Sequence, residues 1–134
     1  MSVKNIFFAL IAACALQAHA QYPNKPVRVV ISFTPASATD IVGRVVTTKL
    51  AEIWGQPVVP ENRAGAGGSI GSKVVVDSPA DGYTLLANSS AHAANPGIYA
   101  KLPYDTLKDF TNLAMLGGGP NVLITSPESA AAPT

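Results

Sequence analysis

The chain has 134 residues, of which 48% are hydrophobic and 13% charged, and its formal net charge is +1. A chain of this length can bury a single core, which is enough for one α/β lobe but small for an enzyme with a deep two-lobed cleft. It has one cysteine, Cys14, and no run of basic residues. Disulfides, thiolate or histidine-rich metal sites and a nucleic-acid partner are therefore not expected.

The first twenty residues predict a secretory signal peptide. Lys4 supplies a positive charge, residues 6–16 are almost wholly apolar but too few to span a bilayer, and residues 18–20 (Ala-His-Ala) offer small residues before a cleavage point. We therefore expect cleavage before Gln21 and a secreted product that carries eight basic and eight acidic residues. Two alternatives stay open: a lipoprotein acylated at Cys14 and a buried N-terminal helix.

Strand and helix patterns alternate in the first half of the chain. Residues 27–33 are β-branched and nearly continuous, as expected for a buried parallel strand. Ser37 or Thr39 can cap a following helix that runs to Trp54 and is stopped by Gly55. Its apolar residues recur at helical spacing and predict a core-facing stripe of Ile41, Val45, Val46, Leu50 and Ile53.

The rest of the chain continues this alternation and predicts an α/β lobe built on a mostly parallel sheet flanked by helices. The further predicted elements are a strand at 57–60, a helix at 68–77, a strand at 83–87, a short helix at 95–99 and strands at 113–116 and 122–125. In parallel sheets ligands bind beyond the carboxyl ends of the strands. We therefore expect three loops to meet at one sheet edge: residues 34–40, 63–69 and 88–95.

The first of these loops leads into a helix, whose N-terminus attracts anions because its backbone N–H groups are unpaired. Ala36 and Ala38 are small and leave those groups open, while Ser37 and Thr39 add hydroxyl donors. Asp40 falls in the first helical turn. The simpler interpretation, that Ser37, Thr39 and Asp40 only cap the helix, stays open.

The second loop belongs to the stretch ENRAGAGGSIGS at 61–72, whose glycines follow a G-x-G-x-x-x-G pattern. It follows the second predicted strand, has no Lys-Ser/Thr pair and lacks an acid at the spacing that a dinucleotide site requires. A tight turn that also offers N–H groups to an anion fits the pattern better than a nucleotide site. Glu61 and Arg63 flank the turn and can pair with each other.

The third loop is dense in neutral hydrogen-bonding groups. Ser89 or Ser90 together with His92 raises the hypothesis of a secreted serine hydrolase, but no nucleophile-elbow motif is present and His92 lies only two or three residues from both serines. A turn with satisfied side chains is a further alternative. Three neutral donor loops at one sheet edge favour binding of a small carboxylate over catalysis.

Six sequence blocks stand out in chain order from Tyr22 to about Pro127: YPNKPVRVVISF, ATDIVGRVV, GQPVVPENRAGAGGSIG, DGYTLLANSS, NPGIYAKLPYD and KDF. Together they resemble the Bug family of extracytoplasmic solute receptors, the TctC-like substrate-binding proteins of tripartite tricarboxylate transporters. The resemblance implies a lobe of the type II periplasmic-binding-protein fold in a monomeric receptor that delivers ligand to a membrane permease. It implies di- or tricarboxylates, amino acids or aromatic acids as ligands, and neither a cofactor, a metal nor a catalytic residue.

The resemblance also implies which residues hold the ligand. The family holds one ligand carboxylate between the first and third loops, largely through backbone amides and bridging waters, with the glycine loop as a third wall. Carried over to this chain, the ligand-binding residues are Thr34, Ala36, Ser37, Ala38, Thr39, Asp40, Ala66, Gly67, Gly68, Asn88, Ser89, Ser90, His92 and Asn95.

Two departures from the family pattern are visible. Ala36-Ser37 stands where the family usually has Gly-Gly, so we expect a narrower carboxylate site or a different loop conformation. The chain is also less than half as long as family members. We therefore expect a truncated N-terminal portion, with a lobe at 21–125, a crossover or disordered tail at 126–134 and no second lobe, or alternatively a remnant that does not bind.

Overall fold

A computed structural model describes residues 22–119 of the chain. Its elements are strand β1 (Val27–Ile31), helix α1 (Ala38–Trp54), strand β2 (Val58–Asn62), a 3₁₀ turn (Ala66–Gly68), helix α2 (Ser69–Val76), strand β3 (Thr84–Ala87) and helix α3 (Ala91–Ile98). The predicted signal peptide, the alternative lipoprotein site, the strand at 122–125 and the tail at 126–134 lie outside the described residues.

The three strands form one parallel sheet in the order β2-β1-β3. Ile31, the last residue of β1, is level with Asn62 of β2 and with Ala87 of β3. Because the strands are parallel and end at the same level, their carboxyl ends lie side by side. The predicted α/β fold with a parallel sheet flanked by helices is confirmed.

The hydrophobic core lies between α1 and one face of the sheet. β1 contributes Val27, Val29 and Ile31, each at most 6% exposed, and burying such a side chain stabilises the fold by about 1.5–3 kcal/mol. Gly43 lets α1 approach closely, since a Cβ atom there would lie 3.2 Å from Ile31 Cδ1. The partly buried helix residues packed on this cluster are Leu50, Ala51 and Trp54.

The predicted core-facing stripe of α1 is wrong at three of its five positions. The exposed side chains are Ile41 at 56%, Val45 at 66% and Ile53 at 67%. The helix instead buries Asp40, Gly43 and Thr47. Small and polar residues face the sheet because Gly43 permits close contact with β1 and because Asp40 finds hydrogen-bond partners there.

Several predicted boundaries also change. β1 ends at Ile31 rather than at residue 33, β2 extends to Asn62 rather than ending at Pro60, and α3 begins at Ala91 rather than at Asn95. Pro60 is tolerated inside β2 because, among residues 22–119, that strand lies at the edge of the sheet. Residues 113–116, predicted as a strand, form none, since no strand within 22–119 pairs with them.

The ends of α1 follow the predicted signals. Ser37 is its N-cap, with its Oγ accepting a hydrogen bond of 3.2 Å from the backbone N–H of Asp40. Gly55 ends the helix in the left-handed region at φ 61°, where glycine has no steric penalty. None of the helices in the described part of the chain is both long and apolar enough to cross a membrane.

Candidate functional site

All three predicted loops start at the carboxyl edge of the sheet. β1, β2 and β3 end level with one another at Ile31, Asn62 and Ala87. The segments that follow lead into α1, into the 3₁₀ turn with α2, and into α3. This edge is therefore where backbone and side-chain donors from distant parts of the sequence come together.

The first loop presents unpaired backbone donors. Its N–H groups at Ala36, Ser37 and Asp40 donate to protein acceptors. No acceptor among residues 22–119 takes a hydrogen bond from the N–H groups of Ala38 and Thr39, the first two residues of α1. These two amides stand at the positive end of a 17-residue helix, which makes the position favourable for an anion.

Asp40 is buried and fully engaged with protein donors. Its carboxylate accepts hydrogen bonds from Arg44 Nε at 2.9 Å, Asn62 Nδ2 at 2.7 Å and the Ala36 N–H at 2.9 Å. These bonds, with that from Arg44 the strongest contributor, lower the pKa of Asp40 to about 2. Asp40 is thus ionised at neutral pH, and both of its oxygens are occupied.

The glycine loop takes a conformation that only small residues fit. Gly67 and Gly68 have φ angles of 60° and 88°, a region that disfavours other residues. A Cβ atom on Gly68 would lie 3.1 Å from Ser32 Oγ and 3.2 Å from Asn88 Oδ1. The loop therefore packs tightly against the ends of both β1 and β3. As predicted, the flanking Glu61 and Arg63 form an ion pair, and Glu61 also binds Arg28.

A chain of polar side chains runs beneath the glycine and third loops. Asn88 accepts a hydrogen bond from Ser32 Oγ at 2.9 Å and donates to Ser72 Oγ at 3.3 Å. Ser72 in turn donates to the Gly68 carbonyl at 3.0 Å and lies 3.4 Å from His92 Nδ1. Ser32 and Ser72 are both fully buried, so they support the loops rather than face solvent.

His92 does not form the contacts that the hydrolase hypothesis needs. The hydrogen-bonding neighbour of its imidazole ring in the described structure is the Ser72 hydroxyl, not that of Ser89 or Ser90. Since Ser72 directs its hydroxyl proton to Gly68, His92 Nδ1 would act as the donor in that contact. The ring stacks on Tyr104 and meets Phe110 edge-on. Burial lowers the pKa of His92, so the neutral form is favoured.

Asn95 connects the third loop to the glycine loop. Its side chain is 1% exposed and donates a hydrogen bond of 3.1 Å to the Gly67 carbonyl. Its Nδ2 also lies 3.5 Å from the Tyr104 hydroxyl. Asn95 therefore holds the two loops together from inside and does not face solvent.

The predicted site residues fall into three groups by exposure. Those exposed at the edge are Thr34, Ala36, Ala38, Ala66, Gly67 and Ser90. Those half-buried are Ser37, Thr39, Asn88, Ser89 and His92. The buried ones are Asp40, Gly68 and Asn95. The residues of the first two groups are thus open to solvent at least in part, whereas those of the third group are not.

Sequence reasoning missed three supporting residues: Ser32, Asn62 and Ser72. Each lies at or next to a predicted loop, but their roles depend on partners 16 to 56 residues away in sequence. Ser72 had one local signal, because it lies four residues after Gly68 and so falls within reach of that carbonyl in a helix.

A separate depression of about 510 Å³ lies between α2, β3 and residues 109–114. It includes Asn88, Ser89 and His92 of the third loop, but no residue of the first loop or the glycine loop. Its other walls are largely apolar, with Val75, Leu86 and Phe110 among them. The depression therefore adjoins the third loop but lies away from the first loop and the glycine loop.

A parallel α/β lobe with donor-bearing strand–helix loops at one sheet edge is an architecture that binds ligands at that edge. Comparison with known proteins agrees. Residues 42–133 match the model of the tripartite tricarboxylate transporter family receptor, TctC. The chain belongs to this family.

Curated relatives of the family match most of the chain. Protein BugT of Bordetella pertussis (strain Tohama I) is 39% identical over 130 residues, covering 96% of this chain and 40% of that protein. The UPF0065 protein in the tcbD-tcbE intergenic region of Pseudomonas sp. (strain P51) is 37% identical over 108 residues, covering 81% of this chain and 32% of that protein. This chain thus spans at most two-fifths of these relatives.

Solved structures show the same fold. MatC (Rpa3494) from Rhodopseudomonas palustris with bound malate is 36% identical with a TM-score of 0.65, covering 71% of this chain and 33% of that one. Rpa4515 of R. palustris with adipate is 34% identical with a TM-score of 0.61, covering 63% and 29%. A structure described as a periplasmic transporter is 45% identical with a TM-score of 0.62, covering 65% and 30%.

Proposed function

We propose that this chain forms a ligand-binding lobe of a periplasmic receptor for small carboxylates. The observation that carries the proposal is the N-terminus of α1, where the N–H groups of Ala38 and Thr39 bind no acceptor within residues 22–119. Such a helix end carries about half a positive charge and suits an anion. Membership of the TctC family supports the same function.

Neutral donors define the proposed ligand class. The two arginines nearest the edge are already paired, Arg44 with Asp40 and Arg63 with Glu61. Backbone N–H groups and hydroxyls can still give a carboxylate charge-assisted hydrogen bonds. Two solved relatives hold the dicarboxylates malate and adipate. We therefore propose a dicarboxylate as the first ligand to test, with tricarboxylates, amino acids and aromatic acids to follow.

The proposed setting is the periplasm. We propose that residues 1–20 are removed on export and that the receptor passes its ligand to the permease of a tripartite tricarboxylate-type transporter. The family description and the periplasmic origin of a solved relative support this. A receptor of this kind binds its ligand without changing it chemically. The candidate ligand-contacting residues are those exposed or half-buried at the edge, with Ala38 and Thr39 foremost.

Thermal unfolding in the presence of ligand tests the proposal. Malate and adipate, at about 1 mM to 10 mM, should raise the Tm, because a ligand that binds only the folded state stabilises it. The matched control is adipamide, which keeps the chain length of adipate but has no charge. No shift with either dicarboxylate would favour the alternative that this chain does not bind by itself.

A single substitution can remove one proposed donor without disturbing the helix. Ala38 is the first residue of α1, where proline is well tolerated, and Ser37 has φ −68° and ψ 160°, which suits a residue before proline. Ala38→Pro removes the N–H group and should weaken malate or adipate binding by about tenfold or more. Ala38→Gly keeps the N–H group and should bind as the original chain does. Equal binding by both variants would contradict the proposed site.

A further inference from the structure

Asp40, Arg44 and Asn62 form a closed ring of side-chain hydrogen bonds behind the first loop. Asp40 Oδ1 accepts from Arg44 Nε and from Asn62 Nδ2. Arg44 completes the ring by donating through Nη2 to Asn62 Oδ1 at 2.7 Å. The Asp40 side chain is 5% exposed, whereas that of Arg44 is 46% exposed. The ring therefore fixes the carboxylate between the start of α1 and the end of β2.

The same carboxylate holds the backbone of Ala36. Asp40 Oδ2 accepts the Ala36 N–H at 2.9 Å, and Ala36 has a φ angle of 64°. A residue with a Cβ atom enters this left-handed region only at an energetic cost, so the surrounding structure must compensate. The hydrogen bond to a charged, buried acceptor can offset part of this cost.

Asn62 fixes the other end of the same turn. Its Nδ2 donates to the Phe33 carbonyl at 3.0 Å as well as to Asp40. The backbone is thus held at Phe33 and at Ala36 by two side chains that also bind each other. The held segment leads directly to Ala38 and Thr39, whose N–H groups are the proposed ligand donors.

We propose that Asp40 is a positioning residue, which shapes the binding edge through the backbone of Ala36 and does not touch the ligand. The inference depends on the proposed function, since it assigns Asp40 a role in carboxylate binding. Its charge does not oppose an anionic ligand, because Arg44 neutralises it. The lowered pKa of Asp40 keeps the carboxylate ionised and able to hold Ala36 at neutral pH.

A pair of substitutions separates this role from direct ligand contact. The Asp40→Asn side chain cannot accept hydrogen bonds from Ala36, Asn62 and Arg44 together, because a donor NH2 group replaces one of the two acceptor oxygens. We expect it to weaken malate or adipate binding by about tenfold. Ala36→Gly removes the steric cost of the left-handed conformation, so adding Asp40→Asn to this variant should cost about threefold or less.

Binding data give outcomes that would overturn the inference. An equal loss of affinity from Asp40→Asn with and without Ala36→Gly would indicate that Asp40 contacts the ligand directly. Tighter binding by Asp40→Asn would show that its charge repels the ligand. If Asp40→Asn alone does not fold, recovery of folding in the double variant is the expected rescue. Failure of the double variant to fold, while Ala36→Gly folds, would contradict the inference.

Hydrogen exchange measured by NMR tests the contact without any ligand. In the original chain the Ala36 amide should be protected, and Asp40→Asn should speed its exchange by about tenfold or more. The amide of Ile41, which donates to the Ser37 carbonyl at 2.9 Å, should change by no more than about threefold. Unchanged exchange at Ala36 would overturn the inference.

The two readouts keep the two proposals apart. If the original chain binds neither malate nor adipate, the proposed function fails, and exchange at Ala36 still decides whether Asp40 holds the turn. If the chain binds and Ala36 exchange is unaffected by Asp40→Asn, the function stands and the positioning role is lost.

Discussion

The side-chain amide of Asn95 donates a hydrogen bond of 3.1 Å to the carbonyl of Gly67. The two residues are 28 positions apart in the sequence. Asn95 lies in α3, at the end of the third loop region, and Gly67 lies in the 3₁₀ turn of the glycine loop. Asn95 is almost completely buried, so water cannot replace this contact. This side chain therefore helps to set the relative position of the glycine loop and the third loop, beside the contacts of Asn88 and Ser72.

Asn95→Ala should destabilise the fold by about 1–3 kcal/mol, because it leaves the Gly67 carbonyl without its buried donor. Urea unfolding measured by circular dichroism gives the free energy. Asn112→Ala is the matched control, since Asn112 is exposed and its loss should cost less than about 0.5 kcal/mol. Equal losses in the two variants would show that the Asn95 contact has no special weight.

Gly67→Ala tests the same contact from its other side. Gly67 has a φ angle of 60°, and a Cβ atom there would lie 2.8 Å from Asn95 Oδ1. We expect a loss of at least about 1–2 kcal/mol in unfolding free energy, from the left-handed conformation alone.

Gly97→Ala is the matched glycine control. No atom lies within 4 Å of a Cβ built on Gly97, which is inside α3. Alanine there should leave stability unchanged or raise it by up to about 1 kcal/mol, since alanine favours helix. A loss at Gly97 as large as that at Gly67 would contradict the geometric explanation.

The side of α1 that carries Ile53 faces away from the core, and a comparison with the core residue Ile31 tests this orientation. Ile31 of β1 is fully buried, and Ile31→Ala should cost about 2–5 kcal/mol in unfolding free energy. Ile53 of α1 is 67% exposed, and Ile53→Ala should cost less than about 1 kcal/mol. A comparable loss at Ile53 would restore the core-facing stripe that helical spacing predicts.

His92 should make stability depend on pH. Burial lowers its pKa in the folded state, so the unfolded chain binds a proton more readily. Its contribution is present above the unfolded value of about 6.5 and is lost as pH falls through the folded pKa. Urea unfolding at pH 7.5 and 5.5 should show a larger fall for the original chain than for His92→Gln. An equal fall in unfolding free energy for the original chain and His92→Gln would exclude His92 as the cause.

Much of the fold could be predicted because it depends on local patterns. The β-branched run at 27–33 predicts the central strand, and the capping signals at Ser37 and Gly55 agree with the ends of α1. The strand β1 ends two residues before the end of this run, because its pairing with β2 and β3 stops at Ile31. Alternation of strands and helices then predicts a parallel sheet with three loops at one edge.

The inner face of α1 could not be predicted from spacing alone. Apolar residues at Ile41 and Val45 form a plausible stripe, yet the helix turns Asp40, Gly43 and Thr47 inward. The orientation follows from close approach at Gly43 and from donors that Asp40 finds at Asn62 and Arg44. Arg44 lies on α1 itself, but Asn62 lies at the end of β2, so no window of local sequence contains both partners of Asp40.

The order of elements from β1 to α3, the loops at the sheet edge and the family follow from the sequence alone, because caps, turn residues and motif blocks act within a few neighbouring positions. Tertiary pairing sets which polar residues support that edge and which are left open on it. Asp40 meets Asn62, and Ser32 meets Asn88, only after β1 pairs with β2 and β3 in register. Long-range pairing sets these contacts, since a strand's register fixes which side chains become neighbours.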